Sequence, residues 1–352
     1  MRPLVLHPDV QFSGPADIEA SVYGSAFEAW TTQSTDLARI PDEVWARAAA
    51  MVCYHEITVT PAVLDRMPHC RVVVRAGVGF DNIDLAAAAE RGIAVCNTPD
   101  YGTTDVADHA IALTLAILRG ITGYDDLVFA DPVRGWDFAA VPTVRRLSTQ
   151  TFGVVGLGRI GTATALRAKA LGMRVVFHDP YRPTGTELAL GMERAASLGE
   201  LLRQADIVSL HTPLTNETRH LIDEPALASM KPGAVLVNTA RGGVVDLSAL
   251  ARALLDGHVG AAALDVLESE PLSAEHPLML AWRTPGSPLR HRLVVTPHAA
   301  FYSPASLMDL RRKSATTAAS YLREGYSRDC VNAERIDQAK AAARAGMMGP
   351  AG

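Results

Sequence analysis

The sequence predicts an α/β protein built from two series of parallel strands. Three observations predict it. Short β-branched runs alternate with longer helical patterns along most of the chain, and strands that alternate with helices form βαβ units and parallel sheets. The alternation breaks once, at Thr103, and then restarts, which gives two series and no fixed-period repeat. The chain has 352 residues, a length that suggests about two domains and that buries roughly three quarters of its unfolded surface.

In the first hundred residues PLVLHP, MVCYH, RVVVRAG and IAVCNTP read as strands, with PAVLDRM and DLAAAAERG as helices between them. From Thr103, DVADHAIALTLAILRG is a long apolar helix that Thr103 or Thr104 can cap and Gly120 can end. Residues 121–147 read as irregular, with Pro132, Pro142, Trp136 and the basic pair Arg145–Arg146. A loop of that length is uncommon inside a compact domain and is often functional or an interface arm. The second series has strands TFGVVGLG, RVVFHD, DIVSLHTP, GAVLVNTA, AAALDVL and LVVTPH, with helices starting near Ile160, Leu198, Glu224 and Leu247. The segment after Pro304 is helical to near Gly325. The last 22 residues, from Val331, are Ala-rich without a clear apolar stripe and read as a loosely held tail.

Composition narrows the function. Lys and Arg number 33 against 38 Asp and Glu, a net charge of −5, which disfavours nucleic acid because phosphate binding needs a basic footprint. The four cysteines, Cys53, Cys70, Cys96 and Cys330, have neither CxxC pairing nor metal-ligand spacing. That favours a reducing, cytoplasmic compartment and no metal site. No apolar run reaches the length of a membrane span, and MRPLVLHPDV meets a Pro, a His and an Asp too early for a signal peptide.

The strongest local signal is Gly156-Leu-Gly158-Arg-Ile-Gly161, preceded by an apolar strand and followed by an Ala-rich helix, with Asp179 ending the next strand 18 residues on. A lone GxGxxG is weak; this context makes it a dinucleotide fingerprint. Gly156 permits the tight turn, Gly158 lets the backbone approach a pyrophosphate, and Gly161 lets helix and strand pack closely. The helix N-terminus then offers unpaired N–H groups and a positive dipole end. Asp179 can accept from both ribose hydroxyls and would repel a 2′-phosphate, so NAD is expected over NADP, a preference that nearby Arg182 weakens. A second glycine run, Arg75-Ala-Gly77-Val-Gly79-Phe-Asp-Asn82, lacks the third glycine. It is no dinucleotide fingerprint, but its amides can cradle a small anion.

Three polar residues follow late strands: Arg241 after VLVNTA, Glu270 after ALDVLES and His298 after VVTP, spaced by 29 and 28 residues. The carboxyl ends of parallel strands face the crevice where ligands bind, so the three can converge. Arg241 offers a planar fork for a carboxylate and an adjacent oxo group. His298 can donate a proton to an oxo oxygen and take it back in reverse. Glu270 can hold the imidazole by one nitrogen. Each alone is more often a surface ion pair or a packed core residue; the glycine motif upstream is what raises the set to a site.

These residues resemble the D-2-hydroxyacid dehydrogenase family. The matching motifs are RAGVGFDNID (75–84), GIAVCNTPDYGTTDVADHA (92–110), GLGRIG (156–161), HDP (178–180), HTPL (211–214), VNTARGGVVD (237–246), ALDVLESEP (263–271) and TPHAA (296–300). They span some 280 residues in the family's order, and the match is weak before about residue 45 and in the tail. Within the family, CYHEITVT (53–60), HDPYRPTG (178–185), LESEP, TPHAAFYS and CVN (330–332) look like the C-terminal-binding-protein branch.

The resemblance implies a Rossmann dinucleotide-binding domain, residues 103–302, inserted into a smaller flavodoxin-like parallel-sheet substrate domain, residues 1–102 and 303–330, with 331–352 as a tail. It implies Arg241 as carboxylate clamp, Glu270 as partner and His298 as acid/base. Around an NAD cofactor it implies Arg159 and Ile160 at the pyrophosphate, Asp179 at the ribose, and Thr212 and Pro213 on the adenosine side. Thr239, Ala240, Asp265 and Val106 complete the set, the first three flanking the nicotinamide. It implies amides of Gly77, Val78 and Gly79 on the substrate carboxylate, with Arg75 as a second cation. It also implies a homodimer joined through the Rossmann domain, which gives the arm at 121–147 a use.

Two departures follow from the same comparison. Formate dehydrogenases of the family carry Gln where Glu270 stands, so that activity is not expected. The corepressor branch has Trp after His-Ala-Ala; here it is Phe301, aromatic without the indole N–H. His55 is a candidate to face the substrate from the first domain. His211 reads as a strand-end residue near the cofactor, and Tyr54, Tyr101 and Tyr302 as packing or pocket walls. Two functions compete: an NAD-dependent interconversion of a small D-2-hydroxy acid and its 2-oxo acid, and an NAD(H)-responsive scaffold for peptide partners. The cofactor motif serves both; the complete Arg–Glu–His set favours the enzyme.

Overall fold

The computed structural model describes residues 2–347. The chain divides into two compact units: residues up to 102 together with those from 303 on, and residues 103–302.

The first unit holds five strands, β1 (Leu4–His7), β2 (Glu28–Thr31), β3 (Ala48–Cys53), β4 (Val72–Arg75) and β5 (Ala94–Cys96), all parallel in the order β2-β1-β3-β4-β5. That is the doubly wound 2-1-3-4-5 order of flavodoxin-like sheets. The strands read as unbroken apolar runs because both faces are covered. Successive side chains alternate between two cores. Leu4, Leu6, Met51, Cys53 and Val73 pack with Trp45, Leu64 and Met67 on one face. Val5, Val52, Val72 and Val74 pack with Tyr23, Leu310, Ala315 and Ala319 on the other. Leu310, Ala315 and Ala319 belong to the helix Pro304–Glu324, opened by a capping box between Ser303 and Ser306 and closed by Gly325.

Two sequence expectations for this unit need correction. β2 and the helices Asp17–Tyr23 and Asp42–Arg47 were not expected, because EAWT is short and only half-buried at the sheet edge and the helices span two turns at most. The segment from Val331 is not a loosely held tail. Val331 donates to Val95 O at 2.8 Å, and Asn332 accepts from Val95 N at 2.8 Å while donating to Ile93 O at 3.0 Å. This covers the exposed edge of β5, which an unpaired strand would otherwise leave open. The helix Ala333–Met347 follows and buries Ile336. The remaining five tail residues lie outside the described ones.

The second unit holds β6 (Thr151–Val155), β7 (Arg174–His178), β8 (Glu193–Arg194), β9 (Ile207–Leu210), β10 (Ala234–Asn238), β11 (Val259–Leu264) and β12 (Leu293–Val295), parallel in the order β12-β11-β10-β9-β6-β7-β8. Chain direction along the sheet reverses between β6 and β9, the Rossmann switch point. Phe152, Val154, Val175, Phe177, Val235 and Val237 face the helix Thr103–Leu118 and its neighbours; Val155, Val176, Val208, Leu210 and Leu236 face the opposite core. The arm expected to be irregular over 121–147 begins instead with the helix Ile121–Ala130, entered through Gly120 at φ +62°; the left-handed glycine bends the chain and lets it restart. No single helix among the described residues is long and apolar enough to cross a membrane.

Candidate active site

The glycine turn sits at the switch point of the second sheet. A Cβ on Gly161 would stand 2.0 Å from Gly156 O, and one on Gly156 would stand 2.9 Å from His211 O. Both glycines are therefore demanded by contacts inside the protein: the helix Arg159–Ala170 against the end of β6, and that end against the loop after β9. Gly158 differs, for a Cβ there would meet nothing within 4 Å. Its surroundings are open, as the approach of a ligand requires. Asp179 is buried and its carboxylate is already oriented, accepting from Leu157 N at 2.8 Å and Tyr181 N at 2.9 Å, with Arg182 Nε at 3.4 Å. The hydroxyls of Thr212, after β9, and Thr239, after β10, are buried and have no partner among the described residues. Buried hydroxyls left unpaired are costly, and a bound polar ligand is one way to pair them. Val106 is buried on the helix Thr103–Leu118. This set of residues fits a dinucleotide. His211 is held by Ser209 Oγ at 2.9 Å, and burial lowers its imidazole to about 4.

The polar set assembles at the ends of later strands. His298 Nδ1 lies 2.6 Å from Glu270 Oε2, and Glu270 Oε1 accepts from Leu267 N at 3.0 Å. Burial pushes the Glu270 carboxyl up. The hydrogen bond and charge of His298, the Leu267 amide and the Arg241 charge outweigh it, and the carboxyl stays below its ordinary value. Arg241 donates to Ala240 O at 2.8 Å, and its own carbonyl accepts from Asn238 Nδ2 at 3.0 Å. Gly242 explains how the Arg241 loop comes so close to the Glu270 loop: a Cβ there would fall 1.9 Å from the carbonyl carbon of Leu267. Phe301 stands edge-on to His298, ring centroids 6.2 Å apart.

Sequence reasoning placed Asp265 beside a cofactor; the structure adds a second occupation. The carboxylate is buried and takes the Thr296 hydroxyl and Ala299 N, the latter at 2.9 Å, on Oδ1, and Ala300 N at 2.9 Å on Oδ2, while its main-chain carbonyl accepts from His298 N at 2.8 Å. His298 itself is held at φ +52°, a conformation a non-glycine residue adopts only when its surroundings impose it. Thr296 and His109, joined at 3.1 Å, complete this support and were not singled out from the sequence. The TPHAA motif held the signal for Thr296, and the 92–110 motif, which contains His109, held that for the histidine.

In the first unit, Arg75 is buried and donates to Ala76 O, its guanidinium lying where a side chain on Gly77 would be. Thr98 N donates to Gly77 O at 2.9 Å and Asn97 Nδ2 to Val78 O at 2.7 Å, so the turn is held by its carbonyls. The amides of Gly77, Val78 and Gly79 meet no protein acceptor among the described residues. His55 packs its ring nitrogens against Gln11 Nε2 at 3.1 and 3.3 Å.

Fold and site define a nucleotide-dependent α/β oxidoreductase. The model of the D-isomer specific 2-hydroxyacid dehydrogenase NAD binding domain matches residues 111–300, and the chain belongs to that family. It is 40% identical over 278 residues, 78% of its own length and 80% of the other's, to the glyoxylate reductase of Aeropyrum pernix. Among solved structures it is similar to D-lactate dehydrogenase from Aquifex aeolicus complexed with NAD and lactic acid (TM-score 0.77, 29% identity, covering 95% of this chain and 98% of that one). It is also similar to the NADPH-dependent glyoxylate/hydroxypyruvate reductase from Sinorhizobium meliloti with NADP and malonate (TM-score 0.81, 28% identity, covering 96% and 98%).

Proposed function

We propose that the chain interconverts a small 2-oxo acid and its D-2-hydroxy acid with NAD(H), using His298 as acid/base. The observation that carries this reading is the 2.6 Å bond between His298 Nδ1 and Glu270. With Nδ1 committed to the carboxylate, proton exchange with substrate falls to Nε2. In reduction Nε2–H gives its proton to the oxo oxygen; in oxidation the same nitrogen takes it from the hydroxyl. Glu270, held as a carboxylate, balances the imidazolium charge. Arg241 clamps the substrate carboxylate and polarises the neighbouring carbonyl. When bound, the dinucleotide supplies or receives the hydride at substrate C2.

The amides of the Gly156–Gly161 turn, with Arg159 and Ile160 at the helix N-terminus, hold the pyrophosphate. Asp179 takes the ribose hydroxyls, and Thr212 and Pro213 the adenosine side. Thr239, Ala240, Asp265 and Val106 surround the nicotinamide. In the first unit the Gly77, Val78 and Gly79 amides form an anion cradle for a carboxylate, with Arg75 as a second cation and His55 facing the substrate; Phe301 supplies a pocket wall. Asp179 favours NADH over NADPH, since a 2′-phosphate would face its carboxylate. The likeness to the C-terminal-binding-protein branch rests on the segments named above, and the four unlinked thiols favour a cytoplasmic setting. A second copy covers the arm, where Phe129, Val133, Trp136 and Phe138 are 92, 83, 80 and 92% exposed; large apolar side chains exposed along one arm suit an association site.

The test is a panel of glyoxylate, pyruvate, phenylpyruvate, branched 2-oxo acids and phosphohydroxypyruvate, each with NADH and with NADPH, followed by loss of reduced-nicotinamide absorbance. Turnover with at least one acid, faster with NADH, is expected. No turnover on any of them by protein that binds the nucleotide would remove this reading. Asp179→Ser is expected to narrow the preference for NADH.

A further inference from the structure

Cys96 and Cys330 stand opposite one another across the edge of β5, in an antiparallel bridge. The hydrogen bonds on either side fix the type of pair. Val331 N donates to Val95 O at 2.8 Å and Asn97 N to Asp329 O at 3.2 Å, so the neighbours bond and the two cysteines do not. In such a non-hydrogen-bonded pair the Cα atoms lie about 4.5 Å apart with side chains on one face. Disulfides span Cα separations of about 4.4–6.8 Å, so one could close here without moving the backbone. Both residues are free thiols.

The two sulfurs differ in access and chemistry. Cys96 is buried, whereas Cys330 is partly open to solvent. Cys330 sits just ahead of the helix Ala333–Met347. The neighbouring Cys96 thiol and the amides of Asn332, Val95 and Ala333 outweigh burial and hold its thiol below the ordinary cysteine value. As a thiol it donates to Asn332 Oδ1 at 3.4 Å. The other two cysteines are inert by comparison: both are buried, and burial pushes Cys70 up to about 12 and Cys53 further. An accessible thiolate beside a resolving thiol is the arrangement of a redox-responsive pair.

We propose that Cys96 and Cys330 form a peroxide-sensitive dithiol that closes to a cross-strand disulfide. The Cys330 thiolate attacks one oxygen of hydrogen peroxide; the S–O bond forms, the O–O bond breaks, and the departing hydroxide is protonated to water. Cys96 sulfur then attacks the Cys330 sulfenic acid; the S–S bond forms, the S–O bond breaks, and the hydroxyl leaves as water with the Cys96 proton. Two thiols are oxidised by two electrons and one peroxide is reduced to water. A dithiol reductant reverses the change by exchange. The bond would tie the returning chain to β5 and close a covalent loop around the whole second unit. It would also lie next to Asn97 and Thr98, which hold the carbonyls of the Gly77–Val78 turn.

The experiment treats the full-length protein with a small excess of hydrogen peroxide, then alkylates remaining thiols in denaturant and maps the peptides by mass. Alkylatable thiols are expected to fall from four to two. The protein should lose the mass of two hydrogens before alkylation, one Cys96–Cys330 linked peptide pair should appear, and dithiothreitol should restore all four. The oxidised protein should melt at a higher temperature, and Cys330→Ser should keep its remaining thiols under the same treatment. Four unreacted thiols in the wild type, Cys330 ending as a sulfinic or sulfonic acid with Cys96 still alkylatable, or a link between two chains would each overturn the proposal.

Discussion

At the residue scale, His298, the proposed acid/base, is supported by two carboxylates with different tasks. Glu270 holds the ring by Nδ1; Asp265 builds the loop that holds His298 at φ +52°. Glu270→Gln keeps a hydrogen-bonding group but removes the carboxylate charge from beside the ring. Steady-state kinetics should then show kcat with the best 2-oxo acid reduced while KM for NADH is little changed. Asp265→Ala leaves the Ala299 and Ala300 amides and the Thr296 hydroxyl without their acceptor. Each buried group so stranded costs about 1–3 kcal/mol, so this variant should lose several-fold more activity than stability alone explains, measured by kcat beside denaturant unfolding. That Arg241, Glu270 and His298 lie near one another was legible because each follows the end of a strand in one parallel sheet. The loop-building task of Asp265 was not, because its partners are backbone amides 34 and 35 residues away, which leave no trace in residue type.

At the element scale, the two outer glycines of the fingerprint answer to the protein and the middle one to the ligand. Gly161→Ala would drive a methyl group to 2.0 Å from Gly156 O, and overpacking of this kind typically costs about 1–3 kcal/mol; its melting temperature should fall. Gly158→Ala meets no neighbour within 4 Å, so its melting temperature should match the wild type while NADH affinity, read by fluorescence titration, falls at least tenfold. Equal melting and equal affinity in both variants would contradict this division. The long helices and all six strands singled out in the second series were legible, since both-face burial writes continuous apolar runs. The two-residue β8, the half-buried β2 and the helix Ala333–Met347 were not. The two strands are short and lie at sheet edges, the helix packs on elements far along the chain, and none has an apolar run of its own.

At the scale of the whole molecule, the two units should respond differently to acid. Burial lowers His7 in the first unit and His211 in the second, each from 6.5 to about 4. Between those values the unfolded chain binds the extra proton, so stability falls as pH drops from 6.5 toward 4. Asp9, also in the first unit, works in the opposite sense: burial raises it from 3.8 to about 6, and there the folded state binds the extra proton. His7 and Asp9 therefore nearly cancel, while His211 stands uncompensated at about 1 kcal/mol per pH unit. Hydrogen exchange at pH about 6.5 and 5, corrected for its intrinsic pH dependence, should show β9 and β10 losing protection while β3 and β4 hold theirs. The discontinuous first unit was legible only through family resemblance, because no local pattern announces that residues 303 onward return to the first sheet.

The most direct measurement of the proposed chemistry is kcat for NADH oxidation with the best 2-oxo acid, compared between the wild type and His298→Ala at saturating cofactor, with NADH affinity measured separately. The expected result is a fall in kcat of roughly 10²–10⁴-fold with the affinity for NADH unchanged. A variant that binds NADH and turns over within about tenfold of the wild type, less than a placed acid/base group contributes, would contradict the assignment of His298.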